Sequence, residues 1–226
     1  MSEAEPFSIV FRDDHIAVID KGSDLVVHPA PSYEGETLVE MLGDMLGGGD
    51  DPERPGIVHR LDRGTSGLMV VARDDASHAA LQEAIRRRDM KRTYTALAEG
   101  LFRSLTRMIY APIGRASPKP HRLAVNGASP REARTHFEVL ESLRGRTLIE
   151  VRLETGRTHQ IRVHMEAIHH PLIGDEVYGG PMDLGLTRPF LHSSKLSFEH
   201  PVTGEALEFE SALPEDLSEA LELARG

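Results

Sequence analysis

Residues 59–68 read His-Arg-Leu-Asp-Arg-Gly-Thr-Ser-Gly-Leu. This stretch places one carboxylate, Asp62, between Arg60 and Arg63, and its glycines permit the tight backbone geometry of a functional loop. Because opposite charges favour the ionised carboxylate, Asp62 is expected to suit nucleophilic catalysis better than acid catalysis. A surface arginine–aspartate pair is the alternative interpretation. His59 is expected to be structural, with its ring bonded within the loop.

Length and composition describe an ordinary globular protein. The chain has 226 residues, of which 39% are hydrophobic and 27% charged, enough for one large or two small domains. It contains no cysteine, so disulfides and thiolate metal sites are excluded. No apolar run approaches the roughly 20 residues that cross a bilayer, and the acidic start lacks the plan of a secretory signal. These features favour a cytoplasmic protein.

The distribution of charge is more informative than its total. The net charge of −10 argues against a nucleic-acid ligand, because proteins that bind RNA commonly carry an excess of basic residues. Residues 86–162, however, hold 17 basic and 7 acidic residues, a local charge of +10. A basic middle third in an acidic body would steer a polyanion to one face. The alternative is that folding disperses this cluster.

The pattern of apolar residues predicts an α+β protein. Short alternating or β-branched runs indicate strands, and apolar residues at helical spacing indicate helices. Strands are expected at 7–11, 15–20, 25–27, 67–72, 92–99 and 147–154. Helices are expected at 37–46, at 76–87 after a cap at Asp74 or Asp75, at 158–168 with Thr158 as the cap, and from about residue 214 onward.

The junction between the strand at 147–154 and the next helix carries several polar side chains. Arg157 closes the strand, and Gln160 and Arg162 fall in the first turns of the helix. Such junctions present backbone N–H donors and side chains to one locality, which favours anions. Both arginines are therefore candidates for holding a phosphate or for pairing with Asp62. A solvated arginine is the alternative for either one.

A second polar group surrounds Tyr94 on the strand expected at 92–99. An aromatic ring beside two cations, here Lys91 and Arg92, can stack on an RNA base or move a proton. A core tyrosine with a satisfied hydroxyl is the alternative. The arginines at 86–88 are candidates for RNA backbone contacts, although basic residues that complement a helix end explain this triplet too.

The twelve histidines do not indicate a metal site. His164 lies five residues from both His159 and His169, not at the spacing of four that places two zinc ligands on one helical face. The common glycine-rich phosphate loops are also missing from the sequence, so a nucleotide cofactor is not indicated. No metal and no organic cofactor is therefore expected.

Several blocks of the sequence together resemble the RluA-type pseudouridine synthases, which isomerise uridine in ribosomal or transfer RNA. The stretch at 59–68 is similar to the active-site signature of that family. The further blocks follow in the family's order: Lys-Arg-Thr-Tyr at 91–94, Thr-Gly-Arg-Thr-His-Gln-Ile-Arg-Val-His at 155–164, Pro-Leu-Ile-Gly-Asp at 171–175, Val-Tyr-Gly at 177–179 and Leu-His at 191–192. The motifs are most similar to those of the large-subunit ribosomal RNA enzymes of RluD type.

The resemblance implies a fold and a domain organisation. The expected fold is the pseudouridine synthase fold, an α+β arrangement with a mixed, mainly antiparallel sheet, flanking helices and a central active-site cleft. Residues 1–226 are expected to form a single catalytic domain. Many relatives carry a small RNA-binding domain before the catalytic one, and the strand expected at 7–11 leaves no room for it here. The protein is expected to be a monomer.

The resemblance also implies roles for individual residues. Asp62 would be the catalytic aspartate, acting on the ribose or the uracil ring of a uridine flipped out of the RNA. Tyr94 would stack on the uracil and help to remove the carbon 5 proton. Arg162 would pair with Asp62, with Arg157 as the second candidate, and Arg60 would contact the flipped nucleotide or fill the space that it leaves. The residues expected to bind substrate are Arg60, Arg63, Lys91, Arg92, Arg157, His159, Gln160, Leu191 and His192.

Three functions of different classes fit parts of this pattern. The first is an RNA pseudouridine synthase acting on ribosomal RNA or tRNA. The second is a non-catalytic RNA-binding or ribosome-assembly protein on the same fold, which Asp62 disfavours because a carboxylate facing RNA does not help binding. The third is a hydrolase or phosphotransferase with an aspartate nucleophile, which would need a magnesium site built from further carboxylates. The sequence favours the first.

Overall fold

A computed structural model describes residues 5–29, 33–116 and 122–226. The chain forms two compact units. The first comprises Met1–Lys91 and Ser193–Ser211, and the second comprises Arg92–His192 and Ala212–Gly226. Each unit contains both helices and strands, as the sequence predicted for an α+β protein.

The described residues contain twelve strands and four α-helices. The strands are β1 (Phe7–Arg12), β2 (Ile16–Lys21), β3 (Ser66–Ala72), β4 (Lys91–Glu99), β5 (Thr106–Tyr110), β6 (Ile113–Arg115), β7 (Leu123–Val125), β8 (Ala128–Arg131), β9 (Arg134–Ser142), β10 (Arg146–Leu153), β11 (Leu191–Glu199) and β12 (Ala206–Glu210). The helices are α1 (Leu38–Leu42), α2 (Asp75–Arg87), α3 (Gln160–Ala167) and α4 (Glu215–Arg225). No helix in the part of the chain that the structure describes is long and apolar enough to cross a bilayer.

The first unit is built on a sheet whose strands run in the order β1-β2-β3-β11-β12. Strands β2 and β3 pair antiparallel, with Val18 opposite Val70. Every residue of β3 is buried, which explains its unbroken apolar sequence. Helix α2 places Leu81 in the core of this unit. The buried core residues are Ile16, Val18, Leu68, Val70, Ala72, Leu81, Met90, Leu196 and Phe198.

The second unit contains a larger and a smaller sheet. Strands of the larger sheet run in the order β4-β10-β9-β5, and all of these pairs are antiparallel. The smaller sheet has the order β7-β6-β8. Helix α4 packs its apolar face onto the main core of the unit, which comprises Leu97, Leu148, Ile173, Leu186, Phe190, Leu217, Ala220, Leu221 and Ala224.

Capping residues account for two of the helix starts. Asp74 accepts a hydrogen bond from the backbone N–H of Ser77 at 2.7 Å and caps α2, which confirms one of the two predicted caps. Thr37 forms a capping box with Glu40 at the start of α1. The helix expected over 37–46 nevertheless ends at Leu42, because Gly43 has a positive φ of 48° and the chain continues as a 3-10 turn.

Two other predictions of secondary structure are wrong. Residues 25–27 do not form a strand, because the carbonyls of Val26 and Val27 accept hydrogen bonds from the first backbone N–H groups of α1. Thr158 does not cap α3. That helix begins one residue later, after His159, whose left-handed backbone (φ 55°) turns the chain into the helix without a side-chain cap.

Gly67 is a point of close approach between β3 and β11 in the first unit. Its φ is 109°, a conformation that residues with a side chain rarely adopt. A Cβ atom at this position would lie 2.3 Å from the backbone oxygen of Ser193. The glycine near the end of the motif at 59–68 is therefore required by both backbone conformation and space.

We expect Gly67→Ala to lower the free energy of unfolding by about 2–5 kcal/mol, since it adds backbone strain to a steric clash that only movement of β11 can relieve. Gly145→Ala is the matched control, because Gly145 also has a positive φ (70°) but a Cβ atom there would meet none of the described residues within 4 Å. It should cost only about 1 kcal/mol. Urea denaturation of both variants checks this, and equal losses would show that the close approach to Ser193 does not matter.

Candidate active site

The loop that carries Asp62 is anchored at both ends within the first unit. Gly64 donates its backbone N–H to the carbonyl of Ser23 at 2.8 Å, and Thr65 donates to the carbonyl of Asp62 itself at 3.0 Å. At the other end, Nε2 of His59 accepts the backbone N–H of Val70 at 3.1 Å. His59 is thus structural, as predicted, but this bond ties its ring to β3 and not within the loop. The loop therefore holds its aspartate on a fixed backbone.

The Asp62 side chain is half-buried and forms no hydrogen bond or ion pair within the described part of the first unit. Its two flanking arginines are engaged elsewhere. Arg60 donates from Nη1 to Nε2 of His28 at 2.8 Å, and the exposed Arg63 has its Cζ 5.7 Å from the centre of the Tyr33 ring. The alternative interpretation of a surface arginine–aspartate pair is therefore not what the described residues show. The described residues of the first unit therefore leave the hydrogen-bonding positions of this carboxylate unfilled.

Strand β4 carries the second group of predicted site residues. Lys91 is exposed at its start, whereas Arg92 and Tyr94 are buried at 4% and 5% exposure and lie two residues apart, on the same face of the strand. In the second unit, the Arg92 guanidinium lies against the loop before α3, so that a Cβ at Gly156 would be 2.9 Å from Nη1.

Arg92 is a buried cation without a counter-charge among the described residues. Its Nε has no hydrogen-bond partner there, and no described carboxylate pairs with the guanidinium. Burial lowers the pKa of Arg92, an effect that the neighbouring Tyr94 opposes. Desolvating a charge costs several kcal/mol unless a partner offsets it. Such an arginine is suited to an anion that comes from outside the protein.

Two further arginines lie near the loop before α3. Arg157 is half-buried and donates from Nε to the carbonyl of Glu132 at 2.9 Å. Burial lowers the pKa of Arg157, the positive charge of Arg131 acts in the same direction, and the negative charge of Glu132 opposes them. We refer to Arg92, Arg131 and Arg157 as the arginine cluster. None of them forms an ion pair with a described carboxylate.

Most other arginines in residues 86–162 are neutralised by nearby acids. These ion pairs reduce the net charge that the basic stretch presents to a ligand. The paired arginines and their partners are Arg86 and Arg87 with Glu83, Arg122 with Glu166, Arg134 with Glu132 and Glu154, Arg146 with Asp183, Arg152 with Glu138 and Glu150, and Arg162 with Asp175. The arginine cluster lacks such partners among the described carboxylates, and so do Arg103, Arg107, Arg115 and Arg144.

Gln160 holds the loop rather than presenting a free amide to a substrate. Its Oε1 accepts from the hydroxyl of Thr155 at 2.7 Å and from the backbone N–H of Arg157 at 3.0 Å. Its Nε2 donates to the carbonyl of Arg134 at 2.9 Å and to the hydroxyl of Thr135 at 3.0 Å. All four hydrogen-bonding positions of the amide are filled. The expected substrate contact of Gln160 is corrected accordingly.

His164 continues this chain of hydrogen bonds into the core. Its Nε2 must donate to the carbonyl of Ala111 at 2.9 Å, so Nδ1 accepts from the hydroxyl of Thr135 at 2.8 Å. Burial lowers the pKa of His164, and the bond to Ala111 opposes this. The imidazole is therefore neutral and structural, and it ties α3 to β9.

Arg162 has a bidentate partner in its own unit. Its Nε and Nη2 each lie 2.7 Å from a carboxylate oxygen of Asp175, and the two side chains are 6% and 0% exposed. Asp175 also accepts the backbone N–H of Tyr178, whose ring centre is 4.9 Å from Cζ of Arg162. Asp175 was not among the residues predicted from the sequence to belong to the site. A lone aspartate in an apolar block after the arginine-bearing helix was the signal that could have indicated it.

The remaining predicted substrate-binding residues are also placed in the second unit. His159 lies at the start of α3 with Nδ1 at 3.0 Å from the hydroxyl of Tyr178. Leu191 and His192 begin β11 and are buried. Among the residues that the structure describes, no group of three or more histidines or acids has the geometry to hold a metal ion.

Comparison with known proteins identifies the family. The family model described as RNA pseudouridylate synthase matches residues 15–167. The chain is 42% identical over 228 residues to an uncharacterized RNA pseudouridine synthase of Bacillus subtilis, covering 100% of this chain and 75% of the relative. It is also 42% identical over 227 residues to ribosomal large subunit pseudouridine synthase D of Vibrio cholerae, covering 95% and 69%. This chain belongs to the RNA pseudouridylate synthase family.

A solved structure supports the same assignment. The human RNA pseudouridylate synthase domain containing 4 superposes with a TM-score of 0.75 at 25% identity, covering 96% of this chain and 92% of that one. The pseudouridine synthase fold expected from the sequence is thus confirmed. As a member of this family the protein is an isomerase, which converts uridine to pseudouridine in RNA.

We expect Asp175→Asn to destabilise this synthase by about 3–5 kcal/mol, because it leaves the Arg162 charge buried without a partner. Replacing both residues, as Arg162→Met with Asp175→Leu, should recover most of that loss, since an apolar pair carries no desolvation cost. Pseudouridine formation should nevertheless stay lost in the double variant, because Arg162 is the predicted catalytic arginine. Chemical denaturation and tritium release from uridine labelled at carbon 5 measure the two effects.

Arg86→Ala is the control for this pair. Arg86 forms an exposed ion pair with Glu83, and such pairs contribute about 1 kcal/mol or less. Its activity should fall far less than that of Arg162→Ala. A stable double variant that retains full activity would show that Arg162 has only a structural role.

Proposed function

We propose that this enzyme isomerises specific uridines of ribosomal RNA, with Asp62 as the catalytic residue. The observation that carries the proposal is the state of Asp62 in its unit. The loop backbone is tied down at both ends, while the carboxylate itself has no hydrogen-bond or ion-pair partner among the described residues of that unit. A structural aspartate at a half-buried position would be expected to be bonded. This one is held ready for an external group.

The chemistry requires a nucleophile and a base-flipping step but no redox partner. The target uridine leaves the helical stack, at a cost of a few kcal/mol, and enters the active site. Asp62 then attacks either the anomeric carbon of the ribose or the uracil ring. The glycosidic bond breaks, the uracil turns, its carbon 5 bonds to the ribose, and the bond to Asp62 is released. Carbon 5 then loses its proton, and N1 of the uracil, freed from the ribose, takes one up. Since no atom is gained or lost overall, neither a metal nor an organic cofactor is part of the proposal.

The other two catalytic residues would act on the same uridine. Tyr94 stacks on the uracil and assists removal of the carbon 5 proton. Arg162 fixes the ionised state and orientation of the catalytic carboxylate. Asp175 supports this role because it holds Nε and Nη2 of Arg162 in a fixed plane.

The arginine cluster supports a role in binding the RNA backbone. The three arginines of the cluster have no ion-pair partner among the described carboxylates. A phosphate group of the RNA would supply the negative charge that they lack. Around the motif loop, Arg60 would contact the flipped nucleotide or fill the space it vacates, and Arg63 would add a phosphate contact. The remaining proposed substrate-binding residues are Lys91, His159, Leu191 and His192.

The substrate class is proposed from the names of relatives. Several of them, from Vibrio and Zymomonas among other bacteria, are named ribosomal large subunit pseudouridine synthase D. We therefore propose ribosomal RNA over tRNA as the substrate, and a cytoplasmic, monomeric enzyme whose residues 1–226 act as one catalytic domain. Mapping pseudouridines in host RNA with and without the gene tests the substrate. Loss of a tRNA site alone would contradict ribosomal RNA.

We expect Asp62→Asn and Asp62→Ala to abolish pseudouridine formation, because neither side chain is a nucleophile, while RNA affinity changes little. Removing a carboxylate near a polyanion does not weaken electrostatic attraction. Tritium release from RNA labelled at carbon 5 of uridine measures activity, and a filter-binding assay measures affinity. Tritium release at the wild-type rate in both variants would refute the assignment of Asp62.

We expect Arg92→Met to weaken RNA binding by about tenfold to a hundredfold, the equivalent of one charged hydrogen bond, without destabilising the protein. Arg188→Met is the matched control. Arg188 is also buried but pairs with both carboxylate oxygens of Asp216, at 2.6 and 2.8 Å, so its loss should lower stability. If Arg92→Met were the more destabilising variant, Arg92 would be a structural residue and not an RNA contact.

A further inference from the structure

We infer that His28 is a positioning residue for Arg60, holding the arginine of the motif loop in place for the target nucleotide through a hydrogen bond that only a neutral imidazole can accept. This inference rests on the proposed contact between Arg60 and the flipped uridine. Nothing in the sequence motifs assigned a role to His28.

The contact itself fixes the chemical state of the histidine. Nη1 of Arg60 lies 2.8 Å from Nε2 of His28. An arginine can only donate hydrogen bonds, so Nε2 must be the acceptor and the ring proton must lie on Nδ1. The His28 ring is buried, at 4% exposure, whereas Arg60 is an exposed residue. The buried Nε2 of His28 therefore holds Nη1 of Arg60, while the rest of the arginine side chain is exposed to solvent.

The backbone before His28 is held by hydrogen bonds to helix α1. The carbonyls of Val26 and Val27 accept the N–H groups of Leu38 and Val39, the first residues of α1, at 2.9 and 3.0 Å. His28 follows directly after this pair of bonds. The imidazole is thus mounted on a segment that helix α1 holds in place.

A buried lysine also holds the segment before His28 through hydrogen bonds to its backbone. Nζ of Lys21 donates to the carbonyls of Gly22 and Leu25, at 2.7 and 2.9 Å, and Lys21 is 1% exposed. The carbonyl of Ser23 accepts the N–H of Gly64, which joins this segment to the loop that carries Asp62. Histidine and arginine therefore belong to one connected scaffold.

The surrounding charges keep the imidazole neutral. Burial is the largest cause that lowers the pKa of His28, and the positive charges of Arg60 and Arg54 act in the same direction. The histidine's own backbone carbonyl and the acidic Asp51 oppose them. Protonation would convert Nε2 from an acceptor into a donor and place a second cation against Arg60. The hold on Arg60 is consequently complete at a pH of about 6.5, the ordinary pKa of histidine, and is lost only as the pH falls through the lower pKa of His28 in the folded protein.

The contact has the properties of a positioning device. Long side chains such as arginine lose considerable rotamer freedom when they are ordered, and a substrate that must order them binds or reacts less readily. Fixing one nitrogen of the guanidinium in advance leaves its other donors available to the RNA. The pair contributes little to the core, because one partner is exposed.

Two variants of His28 and one of Arg60 test the inference on the full chain, with carbon 5-tritiated ribosomal RNA from cells lacking the gene as substrate. His28→Leu removes the acceptor, and we expect it to lower kcat about tenfold with a smaller change in KM. His28→Gln keeps an acceptor oxygen that does not titrate, so kcat should recover to within about threefold of wild type. The acidic fall in kcat/KM below pH 6.5 should become smaller in His28→Gln than in wild type.

A double-mutant cycle with Arg60→Ala separates positioning from general structure. If His28 acts through Arg60, His28→Leu should cause no further loss of kcat in the Arg60→Ala background. An undiminished further loss would overturn the inference, and so would an acid limb that is unchanged in His28→Gln. His78→Leu is a control for burial, because His78 is another buried histidine of the first unit, and it should leave the pH profile unchanged.

The failure of the proposed role of Arg60 can be told apart from the failure of this inference. Wild-type kcat in Arg60→Ala would overturn both the contact of Arg60 with the nucleotide and the positioning role of His28. A large loss in Arg60→Ala combined with wild-type kcat in His28→Leu would overturn the positioning role alone. Thermal denaturation of each variant checks that the measured protein is folded.

Discussion

The buried ion pair between Arg162 and Asp175 connects several elements of the second unit. Both charges are withdrawn from water, where each alone would cost several kcal/mol, and the bidentate geometry offsets that cost. The pair joins α3 to the turn after Asp175 and brings the Tyr178 ring over the guanidinium. The Tyr178 hydroxyl in turn accepts the backbone N–H of Leu123, the first residue of β7. One helix, one turn and one small sheet thus depend on a single charge pair.

Three arginines of the second unit are buried, and they differ in how the free-energy cost of removing their charge from water is offset. Arg162 and Arg188 each face a carboxylate that binds two guanidinium nitrogens, so their charges are balanced by the protein itself. Arg92 lies in an equally dry place, and the described residues offer it no carboxylate. A protein that leaves one such charge unbalanced gives up stability at that point. An unbalanced arginine at this position is explained if an RNA phosphate supplies the missing negative charge.

The sequence predicts best where local chemistry decides the structure. The buried runs of β3 and β4, and helix α2 with its cap at Asp74, follow from apolar spacing and capping alone. The prediction fails for residues 25–27, whose apolar pattern suits a strand but whose carbonyls are taken by α1. The same limit applies to the site. The motif indicates Asp62 as a candidate, but it does not indicate that Arg60 bonds to a histidine 32 positions earlier, because a contact between distant segments leaves no periodic signal.

The buried Lys21 has a consequence for chemical probing of this protein. The chain has four lysines, and two of the others, Lys91 and Lys195, are exposed at the protein surface. Lys21 is enclosed and its amine is bonded to two carbonyl oxygens, so an acylating reagent reaches it only when the first unit opens. The rate of acylation at Lys21, measured by mass spectrometry, therefore reports the rate at which the first unit opens. The exposed Lys91 and Lys195 should be acylated without such opening and serve as the reference.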